Sequence, residues 1–148
     1  MSDAECGFEI ADSVNGHVTI TLLERGAGQG AGDVRLRVRV TSIGFAGEYD
    51  GVWIEVQSAI AFIDQLATLE RDRRGSATLT SMSPHEFSLQ VRIVDSAGHA
   101  AASGFLGRWF PNQRGPVEAR VGFDLDLEPD RLPYLLREAQ RVLIGDPG

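Results

Sequence analysis

One stretch limits what this chain can become. Over residues 56–71, VQSAIAFIDQLATLER, the apolar residues Ala59, Phe62, Ile63, Leu66 and Leu69 recur at three- and four-residue steps. That spacing lines one face of a helix, and Gln57, Asp64, Gln65, Thr68 and Arg71 occupy the others. Ser58 is a candidate N-cap, and Gly75, after the polar run Arg71 to Arg74, is the expected stop. A helix with a single apolar stripe must lay it on another surface. The segments that flank it read as strands, so that surface is a sheet.

Residues 8–11 and 17–23 read as a hairpin turned at Val14-Asn15-Gly16, because Asn-Gly tolerates the positive φ of a tight turn. The clearest strand is 34–40, with Val34, Leu36, Val38 and Val40 on one face and Arg35, Arg37 and Arg39 on the other. Residues 45–54 suggest another strand, broken at Gly47 and by an Asp50-Gly51 turn. Further alternation covers 77–81, 87–94, 99–109 and 117–125. The small residues Ala100, Ala101, Ala102 and Gly104 suggest that the helix crosses closely there. A second apolar stripe over 131–143 predicts a C-terminal helix, with Asp130 as N-cap and Pro133 in the first turn, where its missing N–H costs little. Consecutive strands are joined too tightly for helical crossovers. The fold class is α+β: a mostly antiparallel sheet or sandwich of about seven to eight strands against a central and a C-terminal helix. Residues 1–148 form one domain, with 1–6 and 144–148 as loose ends. Strand order stays open.

The glycine-rich segment GAGQGAGD, 26–33, has neither dinucleotide-fingerprint nor P-loop spacing, and a strand follows it. No helix N-terminus is there to hold phosphate, so it reads as a mobile hairpin loop. With 43% hydrophobic and 24% charged residues the chain can bury a core. The net charge of −7 argues against nucleic acid, since phosphate binding needs a cationic field, and suits a basic partner. All fourteen basic residues are arginine, which removes lysine nucleophiles. Cys6 is the single cysteine, and the acidic N-terminus lacks the features of a signal peptide. A cytoplasmic, non-membrane protein is expected.

Chemistry-bearing patterns are sparse. His17, His85 and His99 have no metal-ligand spacing, and no cofactor or metal is expected. Asp124, Asp126, Glu128 and Asp130 alternate; they read as a solvated strand face leading to a helix N-terminus, or as an acidic protein-binding patch. The arginine row is expected to pair with acids such as Glu118, Asp124 or Asp126, or to hold an anion. The loop from Trp109 to Pro116 sets Trp109 and Phe110 beside Arg114. These aromatics either cap the open end of the core or anchor a partner.

From the central helix onward the chain resembles bacterial domains grouped around WapI-type immunity proteins. The resemblance rests on Trp53, on Phe62, Leu66 and Leu69, on Gly75-Ser76-Ala77-Thr78-Leu79, on Ser96-Ala97-Gly98-His99, and on Phe123-Asp124-Leu125 before the leucine-rich helix. It covers residues 34–143 and implies an α+β sandwich that binds a protein, such as a toxin, without a cofactor. Two functional readings follow. One is a non-enzymatic protein binder meeting a basic partner through Trp109, Phe110, Arg114 and the acids Asp124, Asp126, Glu128 and Asp130, with nothing to indicate a homodimer. The other is a small-molecule or anion binder, or an enzyme, with a pocket between sheet and helix and Arg35, Arg37 or Arg39 on the anion.

Overall fold

A computed structural model describes residues 6–12 and 14–145; the ends at 1–5 and 146–148, expected to be loose, lie outside the described residues. In chain order the elements are β1 (Gly7–Asp12), β2 (Gly16–Arg25), β3 (Val34–Ser42), β4 (Phe45–Ile54), α1 (Val56–Asp72), β5 (Ser76–Thr80), β6 (Phe87–Ile93), β7 (Ala100–Phe110), β8 (Val117–Leu127) and α2 (Arg131–Leu143). The strands form two antiparallel four-stranded sheets, ordered β1-β2-β3-β4 and β5-β6-β7-β8. Each strand pairs with its neighbour in sequence, the arrangement that short turns permit most simply. The α+β class and the eight strands agree with the sequence pattern.

The inner faces of both sheets carry the alternating apolar residues. Val18, Ile20, Leu36, Val38, Ile54, Leu79, Phe87, Leu89 and Leu125 are fully enclosed. Phe62, Leu66 and Leu69 of α1 and Leu132 and Leu143 of α2 join the same core. Each such side chain contributes roughly 1.5–3 kcal/mol through the apolar surface it removes from water. α1 lies along β5 and α2 lies against β1, and the helices touch each other. Gln65 of α1 accepts the edge N–H of Thr78 at 2.9 Å, which occupies part of an otherwise open strand edge. β8 runs across the first sheet: Val121 lies by Gly47 of β4, and the Asp126 N–H reaches Asp12 at the end of β1.

Local details differ from the sequence expectation, each for a physical reason. Helix α1 begins at Val56, as its apolar spacing indicates, but Ser58 is not its cap: the Val56 N–H is accepted by Asp33 Oδ1 at 2.9 Å. The cap comes from the glycine-rich segment, which is folded into a 3-10 turn at Gly28–Gly30 and closed by Gly26 N–H to Asp33 carbonyl at 2.7 Å. Gly32 is required there, because its φ is +91° and a Cβ would meet Val56 Cγ2 at 2.7 Å.

The helix ends on Arg73, not Gly75. Arg73 adopts φ 56° and its guanidinium holds the carbonyls of Glu70 at 2.9 Å and Pro129 at 3.2 Å. Asp130 occupies the N-cap position of α2 without a side-chain bond, and its ψ of −8° is already helical where a capping residue is normally extended. The Arg131 N–H is met by the Glu128 carbonyl instead, at 2.9 Å.

β4 runs through Gly47 and through Asp50-Gly51 with no turn. Val38 pairs with Tyr49 and Leu36 with Val52, so one extra residue is absorbed as a bulge. The small residues of β7 do not make way for the helix, which lies on β5. At Gly104 a Cβ would strike the Ser88 carbonyl and approach the Phe123 ring to 3.0 Å; the neighbouring strands require the small side chain.

Candidate partner-binding surface

β7 pairs with β6 only from Ala100 to Leu106, the Gly107 N–H reaches the Glu86 carbonyl at 2.8 Å just beyond, and Arg108–Phe110 are paired with β8 alone. The hairpin therefore projects as a two-stranded ribbon. Residues 108–114 and 116–120 are all exposed. Trp109 is 48% exposed and Phe110 62%, so neither caps the core. Cross-strand register puts Trp109 opposite Glu118 and Phe110 opposite Val117, which places the two aromatics on opposite faces of the ribbon. The tip is shaped by Asn112, whose side chain accepts the Arg114 N–H at 2.8 Å and whose carbonyl accepts that of Gly115 at 3.0 Å.

Arginines stiffen the base of the ribbon. Arg120 stacks 3.8 Å over the Phe105 ring and bonds Glu118 at 2.7 Å, while Arg108 lies 4.1 Å over Tyr49 of β4. Each stack is an attraction between a cation and a ring face that also holds the aromatic in place.

The acidic run alternates as expected. Asp124, Asp126, Glu128 and Asp130 are exposed, and Phe123, Leu125 and Leu127 between them are buried. Asp124 lies 3.9 Å from Arg92. At about 3.3 Å per residue, Asp126 is roughly 26 Å along β8 from Glu118. The aromatic tip and the acids thus occupy opposite ends of one strand and do not form a single patch.

Arg35 and Arg39 do not meet the acids named for the row. Arg35 bonds Glu24 of β2 at 2.7 Å and the Asp50 carbonyl at 2.8 Å, and Arg39 bonds Glu48 of β4 at 3.3 Å. The meander makes β2 and β4 the strands beside β3, whereas Glu118, Asp124 and Asp126 belong to the other sheet. Arg37 stands between them, opposite Thr21.

His17, His99 and Cys6 have hydrogen-bond partners. His17 Nδ1 lies 3.0 Å from Thr41 Oγ1, and His99 Nδ1 2.6 Å from Asp95 Oδ2. The His99 side-chain contact, followed by the His99 N–H, holds Asp95 below its ordinary carboxyl pKa. Cys6, expected in a loose end, is tied down: its carbonyl accepts the Leu22 N–H at 2.7 Å and its sulfur accepts from Arg141 at 3.1 Å. His85 is exposed. Among the described residues, no three His, Cys, Asp or Glu side chains are grouped to hold a metal. No helix among them is long and apolar enough to cross a membrane.

Sequence reasoning passed over the turn between β3 and β4. Ile43 is 78% exposed and Phe45 73%, on either side of Gly44. The signal was there, since two large apolar residues flank a glycine in a two-residue turn where polar residues are usual. Phe45 and Ile43 face Arg120, Val121 and Gly122 of β8 across a hollow of about 410 Å³. A smaller one of about 160 Å³ separates Ala46–Tyr49 from the ribbon's base. Two hollows thus lie between the β3–β4 turn and the base of the β7–β8 ribbon.

Residues 9–144 match the model of the Immunity protein WapI-like family. The chain belongs to this family. The match opens within β1 and closes at Ile144, directly after α2, so the WapI-like unit takes in both sheets and both helices. No curated protein and no solved structure matches the chain. The WapI-like membership extends the sequence resemblance upstream from residue 34 to residue 9, to include β1 and β2.

Proposed function

We propose that this WapI-like chain is a cytoplasmic, non-enzymatic immunity protein that neutralises a toxin by binding it. The observation that carries the reading is family membership over residues 9–144. The projecting ribbon supports it. Trp109 and Phe110 are large aromatics exposed on a rigid two-stranded element, the kind of side chain that supplies most of the energy in a protein interface. The net charge of −7 favours a basic toxin, whose approach the acidic surface would accelerate. Asp124, Asp126, Glu128 and Asp130 serve as steering charges, and Trp109, Phe110 and Arg114 as packed contacts.

The anion-pocket reading has less support, because Arg35 and Arg39 are engaged by Glu24 and Glu48 on the outer face of the first sheet. The direct test is to sequence the genes on either side of this one and to co-express the chain with any toxin domain found there. Growth should be restored, and a stable complex should purify. Reversing the four acids to arginine should then lower the association rate and flatten its salt dependence. Trp109→Ala or Phe110→Ala should instead raise the dissociation rate. Absence of both rescue and complex formation would refute the reading.

A further inference from the structure

The β1–β2 and β3–β4 turns lie side by side, joined by the Ile43 N–H to the Asn15 carbonyl at 3.2 Å. They border an open, shallow hollow of about 720 Å³ at one end of the first sheet. Its rim is apolar: Val14 is 84% exposed, and Ile43 and Phe45 stand beside it. Its charged lining is acidic. Glu9 and Asp12 line it with His17, and among the described residues no arginine does.

The two acids differ. Asp12 has both oxygens occupied, accepting from the N–H groups of Val14 at 2.8 Å and Asp126 at 2.8 Å and from the Asn15 side chain at 3.1 Å. These donors leave it a fixed negative charge with no oxygen free for a metal. Glu9 is half exposed, its carboxylate 4.0 Å from His17 Nε2.

Ile43 is the unusual residue. It adopts φ 48°, a conformation that a β-branched side chain rarely enters and glycine enters freely. Neither burial nor backbone preference accounts for an isoleucine there. Its side chain is held out in solvent at an energetic cost to the fold.

We propose that this hollow is a docking site for a basic segment of the partner protein, with a lysine or arginine entering toward Glu9 and Asp12 and adjoining apolar residues packing on Ile43 and Phe45. The proposal deepens the immunity reading and rests on it. Charge complementarity selects the occupant. An acidic hollow on a chain of net charge −7 repels nucleic acid and anionic lipid, and attracts a cationic side chain with apolar neighbours.

The test uses the full chain with photoreactive benzoylphenylalanine in place of Phe45, of Trp109, or of exposed Ser76 as a control, irradiated in the source cells. Position 45 should give a crosslink to a defined peptide bearing arginine or lysine, and position 76 none. The captured protein is then purified and its affinity measured against Ile43→Gly and Glu9→Gln. Each should weaken binding by tenfold or more. Ile43→Gly should leave the melting temperature unchanged or higher, because glycine relieves the turn. Crosslinks at 109 alone, a neutral or acidic peptide at 45, or full affinity in Ile43→Gly would overturn this site and leave the immunity reading standing. No crosslink at either position, together with failure of the toxin co-expression, would remove both.

Discussion

Removing the carboxylate of Asp33 tests whether the glycine-rich loop organises the central helix. Asp33 Oδ1 accepts the Val56 N–H at 2.9 Å, and the first turn of α1 contains no acidic residue of its own. Glu55, at the N-cap position, makes no side-chain cap bond. Asp33→Ala therefore deletes the one side-chain acceptor seen at this helix end, at a typical cost of about 1 kcal/mol. It also deletes a negative charge beside the positive end of the helix dipole, adding roughly 0.3–1 kcal/mol. The expected loss is about 1.3–2 kcal/mol, or a melting temperature lower by about 4–6 °C for a chain of this size. Asp33→Asn keeps an acceptor and loses the charge, so only the dipole part, roughly 0.3–1 kcal/mol, should disappear. Glu55→Ala should stay within about 0.5 kcal/mol. Urea titrations read these differences as shifts in midpoint at constant slope. If Asp33→Ala matches the parent protein, or Glu55→Ala costs as much, the loop is not the cap.

Two further outcomes follow from burial and from charge. Leu66 is fully enclosed and Asp64 exposed on the opposite face of α1, so Leu66→Ala should cost about 2–5 kcal/mol and Asp64→Ala under about 0.5 kcal/mol by denaturant melts; equal effects would mean the helix is rotated. Asp12 has its pKa lowered from 3.8, chiefly by the Val14 N–H and then that of Asp126. A depressed folded-state pKa gives stability that is full above the unfolded value and lost as pH falls through the folded one. Acid titration of the fold should show this loss below about pH 4, and Asp12→Asn should flatten it; an unchanged acid limb in that variant would refute the assignment.

Much of the fold was legible because it is written in short-range periodicity. Val34 to Val40 alternates so cleanly that only a strand fits, and Phe62, Leu66 and Leu69 recur at a spacing that only a helix satisfies. The capping groups were less legible. Ser58 and Gly75 have the right chemistry near the helix ends, but Asp33 and Arg73 do the work from positions that depend on where the loop and the second helix pack. The candidate surface was half visible. Trp109 and Phe110 stand out by residue type, whereas Ile43 and Phe45 look like ordinary strand residues until their exposure is known.

Element types, their order, the inward faces and the acidic balance follow from the order of the amino acids alone, because each depends on neighbours within a few residues or on simple counts. Pairing of the two sheets, the crossing of β8 over the first sheet and the partners of Arg35 and Arg39 came only from tertiary structure. Alternation reports which side of a strand is apolar and is silent on which surface that side meets. A residue such as Arg39 finds Glu48 because the meander sets β4 beside β3. Trp109 and Phe110 stay in solvent for a similar reason: β6 stops pairing at Leu106 and leaves the ribbon uncovered. An aromatic pair at a strand end is compatible with both a core cap and an exposed tip, and the length of the neighbouring strand decides between them.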